Sequence, residues 1–286
     1  PFDKRRNGLV LGMGAAAFVV ERKSEAEQRG VQPIAELLGA KTANSAYHGT
    51  RLDVEHVADT VDTFVGEMEE KWGLNRHKIA KELVFYSHET YTPARGGSAQ
   101  SEVRALRKTF GDSTDEMVIA NTKGFTGHPM GVGIEDASMF YGLMNKRIPP
   151  IANHKVLDEE LGNLNLSKGG DYSNLKYGMR FAAGFGSQIG LSMVRSWPIV
   201  GERIDGKRLL AWCRNLSNND DIQLRVLDNK LVAYVDGDNN LHGGIQGDVY
   251  EVTAPFEGLP SEVEAPAEAP KAPVQVEPEV EPTPEP

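Results

Sequence analysis

Apolar positions along this chain recur in two rhythms, one of three and four residues and one of short unbroken runs. Val54, Val57, Val61, Phe64, Val65, Met68 and Trp72 share one helical face, and Asp53 stands where an N-cap belongs, so a helix is predicted over Val54–Trp72. The same spacing predicts helices over Ser98–Phe110 and residues 128–145. Buried-type runs predict strands at 33–44, 83–87, 117–121, 177–183 and 188–195, and residues 8–21 read as a glycine-punctuated strand pair. Long helices between buried strands define an α/β layered domain over residues 1–196.

The pattern then changes twice. Short β-type runs at 223–226, 231–235 and 248–252, separated by Asn-, Asp- and Gly-rich turns, predict a small β-rich segment over 197–254. From Pro255 the chain is Pro, Glu, Ala and Val and holds nine of the sixteen prolines. Such a stretch buries too little apolar area to offset its ordering entropy, so residues 255–286 are expected to be a disordered, acidic, Pro-rich linker.

Charge follows the same division. The net charge is -10, but residues 257–286 carry eight Glu against Lys271, so seven of those charges belong to the tail and the rest is nearly neutral. With no basic stripe, nucleic-acid binding is disfavoured. In 286 residues no apolar run approaches eighteen, which excludes a membrane-spanning helix. The single cysteine, Cys213, excludes a disulfide framework and points to a cytoplasmic protein. The opening Pro1-Phe2-Asp3-Lys4-Arg5-Arg6-Asn7-Gly8 reads as the inside of a fold, so a preceding segment is expected.

Candidate chemistry concentrates at two histidines. Ser87-His88-Glu89-Thr90-Tyr91-Thr92 and Lys123-Gly124-Phe125-Thr126-Gly127-His128-Pro129 each follow a predicted strand. A strand end is where a rigid sheet delivers a side chain into a cleft. Taken singly, each histidine fits a structural role as well as a catalytic one. Their shared context favours a common site, with Lys123 placed to bias His128 and a helix start at His128 expected to keep its ring neutral. Gly184-Phe185-Gly186-Ser187 is a turn that can also aim a backbone N–H at a developing oxyanion. Gly12-Met13-Gly14 lacks the third glycine and following helix of a dinucleotide loop and is read as small residues letting two backbones pack closely. Cys213 has no neighbouring base and is read as a packing residue. The remaining histidines show no metal-ligand spacing, so no metal is assigned.

Together these segments resemble the C-terminal half of the β-ketoacyl synthases, condensing enzymes of the thiolase superfamily. Four ordered motifs over residues 1 to about 196 carry the resemblance: the run from Pro1 to Ala15; His88-Glu89-Thr90-Tyr91-Thr92; Lys123 to Gly127 followed by His128; and Gly184-Phe185-Gly186. It implies a thiolase-like αβαβα layered fold of which this chain supplies the C-terminal half. It also implies a Cys-His-His site whose cysteine lies in the missing N-terminal half, so the chain alone should be inactive. By position His88 and His128 would hold the thioester carbonyl of a malonyl unit, Lys123 would orient His128, and the Phe185 N–H would help form an acyl-transfer oxyanion hole. The activity implied is acyl transfer by decarboxylative Claisen condensation in fatty-acid or polyketide biosynthesis, in a homodimer. Substrates would be carried on the phosphopantetheine of acyl carrier protein, with no cofactor in this chain. The appendage and linker resemble those of multidomain type I synthases. A thiolase, or a non-condensing ketosynthase-like scaffold, is the alternative; a thiolase would use a second cysteine as base, which the matching region lacks, and a nucleophile cysteine upstream decides against the scaffold.

Three departures from the family pattern bear on the pocket. Glu89 replaces the usual glycine, the Gly-Asp pair is missing from Pro93-Ala94-Arg95-Gly96-Gly97-Ser98-Ala99 with a longer spacing to Glu102, and Ser187-Gln188-Ile189 stands where Gly-Thr-Asn is common.

Overall fold

The computed structural model describes residues 1–92, 97–130, 133–227 and 230–235. The chain divides into two compact units, Pro1–Asn218 and Asn219–Pro286. In chain order the described elements are α1 (Lys23–Gln28), β1 (Ala35–Asn44), α2 (Val54–Trp72), α3 (Arg76–Ile79), β2 (Leu83–Tyr86), α4 (Ser98–Phe110), β3 (Val118–Ala120), α5 (Lys123–Thr126) and α6 (Ile134–Asn145). There follow β4 (Arg147–Ile148), β5 (Gly170–Asp171), β6 (Tyr177–Gly184), β7 (Gln188–Ser196), α7 (Gly206–Ser217), β8 (Ile222–Leu227) and β9 (Lys230–Val235).

Five strands form one sheet in the order β1-β7-β6-β2-β3. β2 runs parallel to both β3 and β6, with Tyr86 opposite Ala120 on one side and Arg180 on the other. β6, β7 and β1 are joined antiparallel. The period-two alternation of each strand sorts its side chains between two cores. Leu83, Phe85, Ile119, Met179 and Phe181 pack with Val57 and Phe64 of α2 and Ala105 and Leu106 of α4. Val84, Tyr86, Val118 and Ala120 pack with Met139 and Leu143 of α6. The result is a helix–sheet–helix stack, three layers of the five that the thiolase resemblance implies. Asp53 caps α2 as expected, accepting from the His56 N–H at 3.2 Å.

Residues 8–21 do not form the expected strand pair. The segment is extended and makes a single β-bridge, Leu11 to His128. The backbones approach so closely that a Cβ on Gly12 would lie 1.9 Å from the Thr126 carbonyl oxygen, and one on Gly127 would lie 2.8 Å from the Gly12 nitrogen. The glycines therefore serve the close packing read from the sequence. Much of the segment's apolar surface is left uncovered, with Val10, Leu11, Met13, Val19 and Val20 all exposed.

Past residue 196 the structure adds a helix that the β-rich reading overlooked. Asp205 caps α7 by accepting from the Arg208 N–H at 3.0 Å, and its own N–H donates to the Gly30 carbonyl at 2.8 Å. Leu209 is buried within the first unit. The second unit contributes the β8–β9 hairpin, in which Gln223 faces Tyr234 and the Arg225 guanidinium lies 4.3 Å from the Tyr234 ring centroid. The run expected at 248–252 and the linker expected at 255–286 lie outside the described residues.

Phe64, fully buried between α2 and the sheet, tests this packing. Phe64→Ala is expected to cost about 3–5 kcal/mol in denaturant unfolding, whereas a loss below about 1 kcal/mol would contradict the core assignment.

Candidate active site

His88 and His128 leave the same end of the sheet because the strands before them are adjacent and parallel. Two residues beyond Tyr86, His88 enters a loop held by the Ser87 N–H donating to the Ala120 carbonyl at 2.9 Å. Two residues beyond Ala120, the chain turns into the short helix α5, which opens on Lys123. Asn121, fully buried, ties the two exits together. Its Nδ2 donates to the Glu89 carbonyl at 3.0 Å, while its Oδ1 accepts from the Lys123 N–H at 2.9 Å.

The imidazoles of His88 and His128 meet with ring centroids 5.3 Å apart and planes at 79°. The convergence expected from the sequence is therefore present. Its local cause at residue 128 differs from the expectation. No helix begins there, because Gly127 at φ 67° ends α5 and α6 starts only at Ile134. The His128 N–H instead donates to the Val10 carbonyl at 2.7 Å and its carbonyl accepts from the Gly12 N–H at 3.0 Å, which fixes an extended backbone. His128 is therefore not placed at a helix start.

Burial and nearby cations govern the protonation of both rings. His88 is held well below the ordinary histidine range by burial first, then by Lys123, Arg180 and His128. His128, half-buried, is lowered by burial and Lys123, with Arg180 adding and Glu135 opposing. Both rings are neutral near pH 7 and each can donate one N–H. Among the described residues His128 Nδ1 is buried without a hydrogen-bond partner.

Lys123 is 1% exposed and its Nζ lies 2.7 Å from Glu135 Oε1 at the start of α6. Burial lowers its pKa, as does Arg180. Phe185 occupies the β6–β7 turn with its ring 63% exposed. Among the described residues no ring contact joins it to either histidine. Phe181 does make one, edge-on to His88 at 6.3 Å between centroids.

Sequence reasoning missed Phe181, Asn121, Glu135 and Arg180. Asn121 alone had a signal, as a polar residue closing a buried run. The two glutamates flagged as departures are both buried. Glu89 accepts from the Tyr91 N–H at 2.8 Å, stabilising a residue with φ of 69°. Glu102 is pushed up to about 8 by burial, with Glu89 adding to the rise. Of the stretch Pro93 to Ala99 that lacks the Gly-Asp pair, residues 93–96 lie outside the described residues. Cys213, on α7, is half-buried with its thiol pushed up by burial, in keeping with a packing role.

A sheet packed between helices, with two histidines meeting at the ends of its parallel strands, fits the thiolase-like layered fold. No protein-family model matches the chain. It is 37% identical over 163 residues to 3-oxoacyl-[acyl-carrier-protein] synthase 2 of Coxiella burnetii, a match covering 56% of this chain and 37% of that protein. To the synthase of the same name from Vibrio cholerae it is 29% identical over 196 residues, 66% of this chain and 45% of that protein. A β-ketoacyl synthase structure from Burkholderia phymatum superposes with a TM-score of 0.60 at 25% identity, covering 69% of this chain and 46% of that one. A type II polyketide ketosynthase solved with its acyl-carrier protein gives a TM-score of 0.61 at 21% identity over 69% of this chain and 47% of that one, and so speaks for the fold. The chain is homologous to part of the β-ketoacyl synthases and spans less than half the length of these relatives.

Glu102 links the site to stability. A carboxyl raised to about 8 in the fold and near 4.3 in the unfolded chain makes stability fall as pH rises between those values, because the folded state then holds the extra proton. Glu102→Gln is expected to flatten the decline measured by denaturant unfolding between about pH 5 and 8. An unchanged pH slope would place the Glu102 carboxyl in a different environment.

Proposed function

We propose that this chain is the C-terminal half of a ketosynthase that condenses an acyl thioester with a malonyl thioester. The observation that carries this reading is the pair of neutral imidazoles 5.3 Å apart at the ends of parallel strands. One thioester oxygen placed between them accepts an N–H from each. When the bond to the malonyl carboxylate breaks, carbon dioxide leaves and its bonding electrons move into the enolate, whose negative charge grows on that oxygen. Donors fixed in advance stabilise a charge that exists only in the transition state, and removing one donor of this kind costs about 100- to 1,000-fold. The enolate carbon then attacks the acyl group held as a thioester on a cysteine of the N-terminal half, and the thiolate leaves. The Phe185 N–H serves the oxyanion of that step. Lys123, paired with Glu135, holds His128 neutral without itself touching substrate.

The relatives' names support acyl carrier protein as substrate carrier and partner, and the acyl groups ride on its phosphopantetheine in this reading. The uncovered apolar run from Leu9 to Val20 supports an N-terminal half that packs against it. The acidic, Pro-rich sequence after Pro255 supports a multidomain type I arrangement, and a homodimer completes the assembly. No described helix is long and apolar enough to cross a membrane, which fits a cytoplasmic enzyme.

In the full-length protein, His128→Ala is expected to lower malonyl decarboxylation at least about 100-fold while acyl loading on the cysteine stays measurable. His88→Ala is expected to lower decarboxylation about 100- to 1,000-fold. Decarboxylation at the unmodified rate in either variant would contradict the paired-donor role.

A further inference from the structure

We propose that Arg180 is a positioning residue for the histidine pair, its guanidinium strapping the strand end that delivers His88 to the helix start that lies behind His128. Arg180 sits on β6, 5% exposed, on the face that packs against α6. Its neighbours on that side of the sheet are apolar: Val84, Tyr86, Met139 and Leu143. Burying a cation there costs several kcal/mol unless partners are fixed around it.

Each part of the fork has a different partner. Nη1 donates to the Tyr86 carbonyl at 3.1 Å, two residues before His88, and also to the Phe181 carbonyl beside the ring that meets His88. Nη2 lies 3.6 Å from Glu135 Oε1 and Nε 3.8 Å from Asp136 Oδ2. Glu135 Oε1 is the same oxygen that holds Lys123. One guanidinium therefore reaches the His88 strand and the carboxylate that anchors the lysine before His128. A lysine at 180 has one ammonium and no planar fork, so it cannot engage both sides at once.

The same placement puts a permanent cation near both rings. The charged groups facing His88 are Lys123 from α5 and Arg180 from β6, with His128 opposite. Those facing His128 are Lys123, Arg180, and Glu135 from α6. Two cations against one carboxylate favour neutral imidazoles. Arg180 acts through the histidines and has no substrate contact of its own. A merely structural buried arginine would hold the fold and leave their protonation unmoved.

The test is the pH dependence of deuterium exchange at the imidazole ring carbon, read by peptide mass spectrometry in the full-length protein. Exposed His77 serves as the internal control. Arg180→Met is expected to raise the midpoints of His88 and His128 by about one pH unit and to leave His77 in place. Arg180→Lys is expected to keep both midpoints low while malonyl decarboxylation loses about tenfold in kcat with KM unchanged, because the charge stays and the strap is lost. Should Arg180→Met not fold, Asp136→Asn is read in its place. That change frees the guanidinium of one facing carboxylate, and both midpoints should fall further. Unmoved midpoints in a folded Arg180→Met variant, or in Asp136→Asn when that is the variant read, overturn the proposal, as does an Arg180→Lys variant with unmodified kcat. The inference rests on the condensing reading only for the kcat measurement. If the unmodified full-length protein fails to decarboxylate malonyl thioesters but its midpoints respond as stated, the condensing reading falls and the role of Arg180 stands.

Discussion

The parallel pairing of β2 with β3 and β6 is the constraint on which the site depends. Parallel strands end on the same edge, and the crevice beyond their carboxyl ends is where layered α/β sheets bind ligands. Register then does the rest. Tyr86 stands level with Ala120 and Arg180, so the exits bearing His88, Lys123 and His128 open side by side. Asn121 bonds one exit to the other through fixed, fully buried hydrogen bonds. The short separation of the rings follows from sheet geometry, which a loop alone would not hold to the tolerance that catalysis needs.

Around this frame the sequence places several ionisable groups out of water. Lys123, Glu135, Arg180, Glu89 and Glu102 are all buried. Replacing such a network by apolar residues of similar volume is often neutral or stabilising, so stability gives no reason to keep it. Its consequence for the histidines does. Cations beside buried rings oppose protonation, and a neutral ring carries the donor and acceptor nitrogens that a developing enolate and its neighbours require.

Strong local signals in the sequence located most of the fold. The apolar stripe of α2 and its Asp53 cap match the structure from end to end, as do the bounds of α4, because their periodicity is long. Strand positions were legible to within a residue or two. Short elements such as α1, α3, β4 and β5 were not, and two of the misread segments depend on contacts between distant parts of the chain. Residues 8–21 look like a strand pair but have no β-partner beyond one bridge, since propensity supplies no neighbour. The helix read from residue 128 begins only at Ile134, and His128 pairs instead with Val10 and Gly12. α7 carried local signals of its own, the Asp205 cap and Leu209, Trp212, Cys213 and Leu216 at spacings of three and four, which the β-rich reading passed over. At the site, His88, His128 and Lys123 were readable from their motifs, whereas Arg180 and Glu135 lie in no motif. Their meaning comes from being on facing layers, which spacing along the chain does not encode.

The central claim is that the two imidazoles act on one oxygen, and a double-mutant cycle in the full-length protein addresses it most directly. Malonyl decarboxylation is measured for His88→Ala, His128→Ala and the pair together. Donors that share one oxygen are coupled, so the double variant should lose far less than the product of the two single losses, with an interaction energy of about 1–3 kcal/mol. Losses that multiply, leaving an interaction near zero, would show that the rings serve separate groups and would contradict the account.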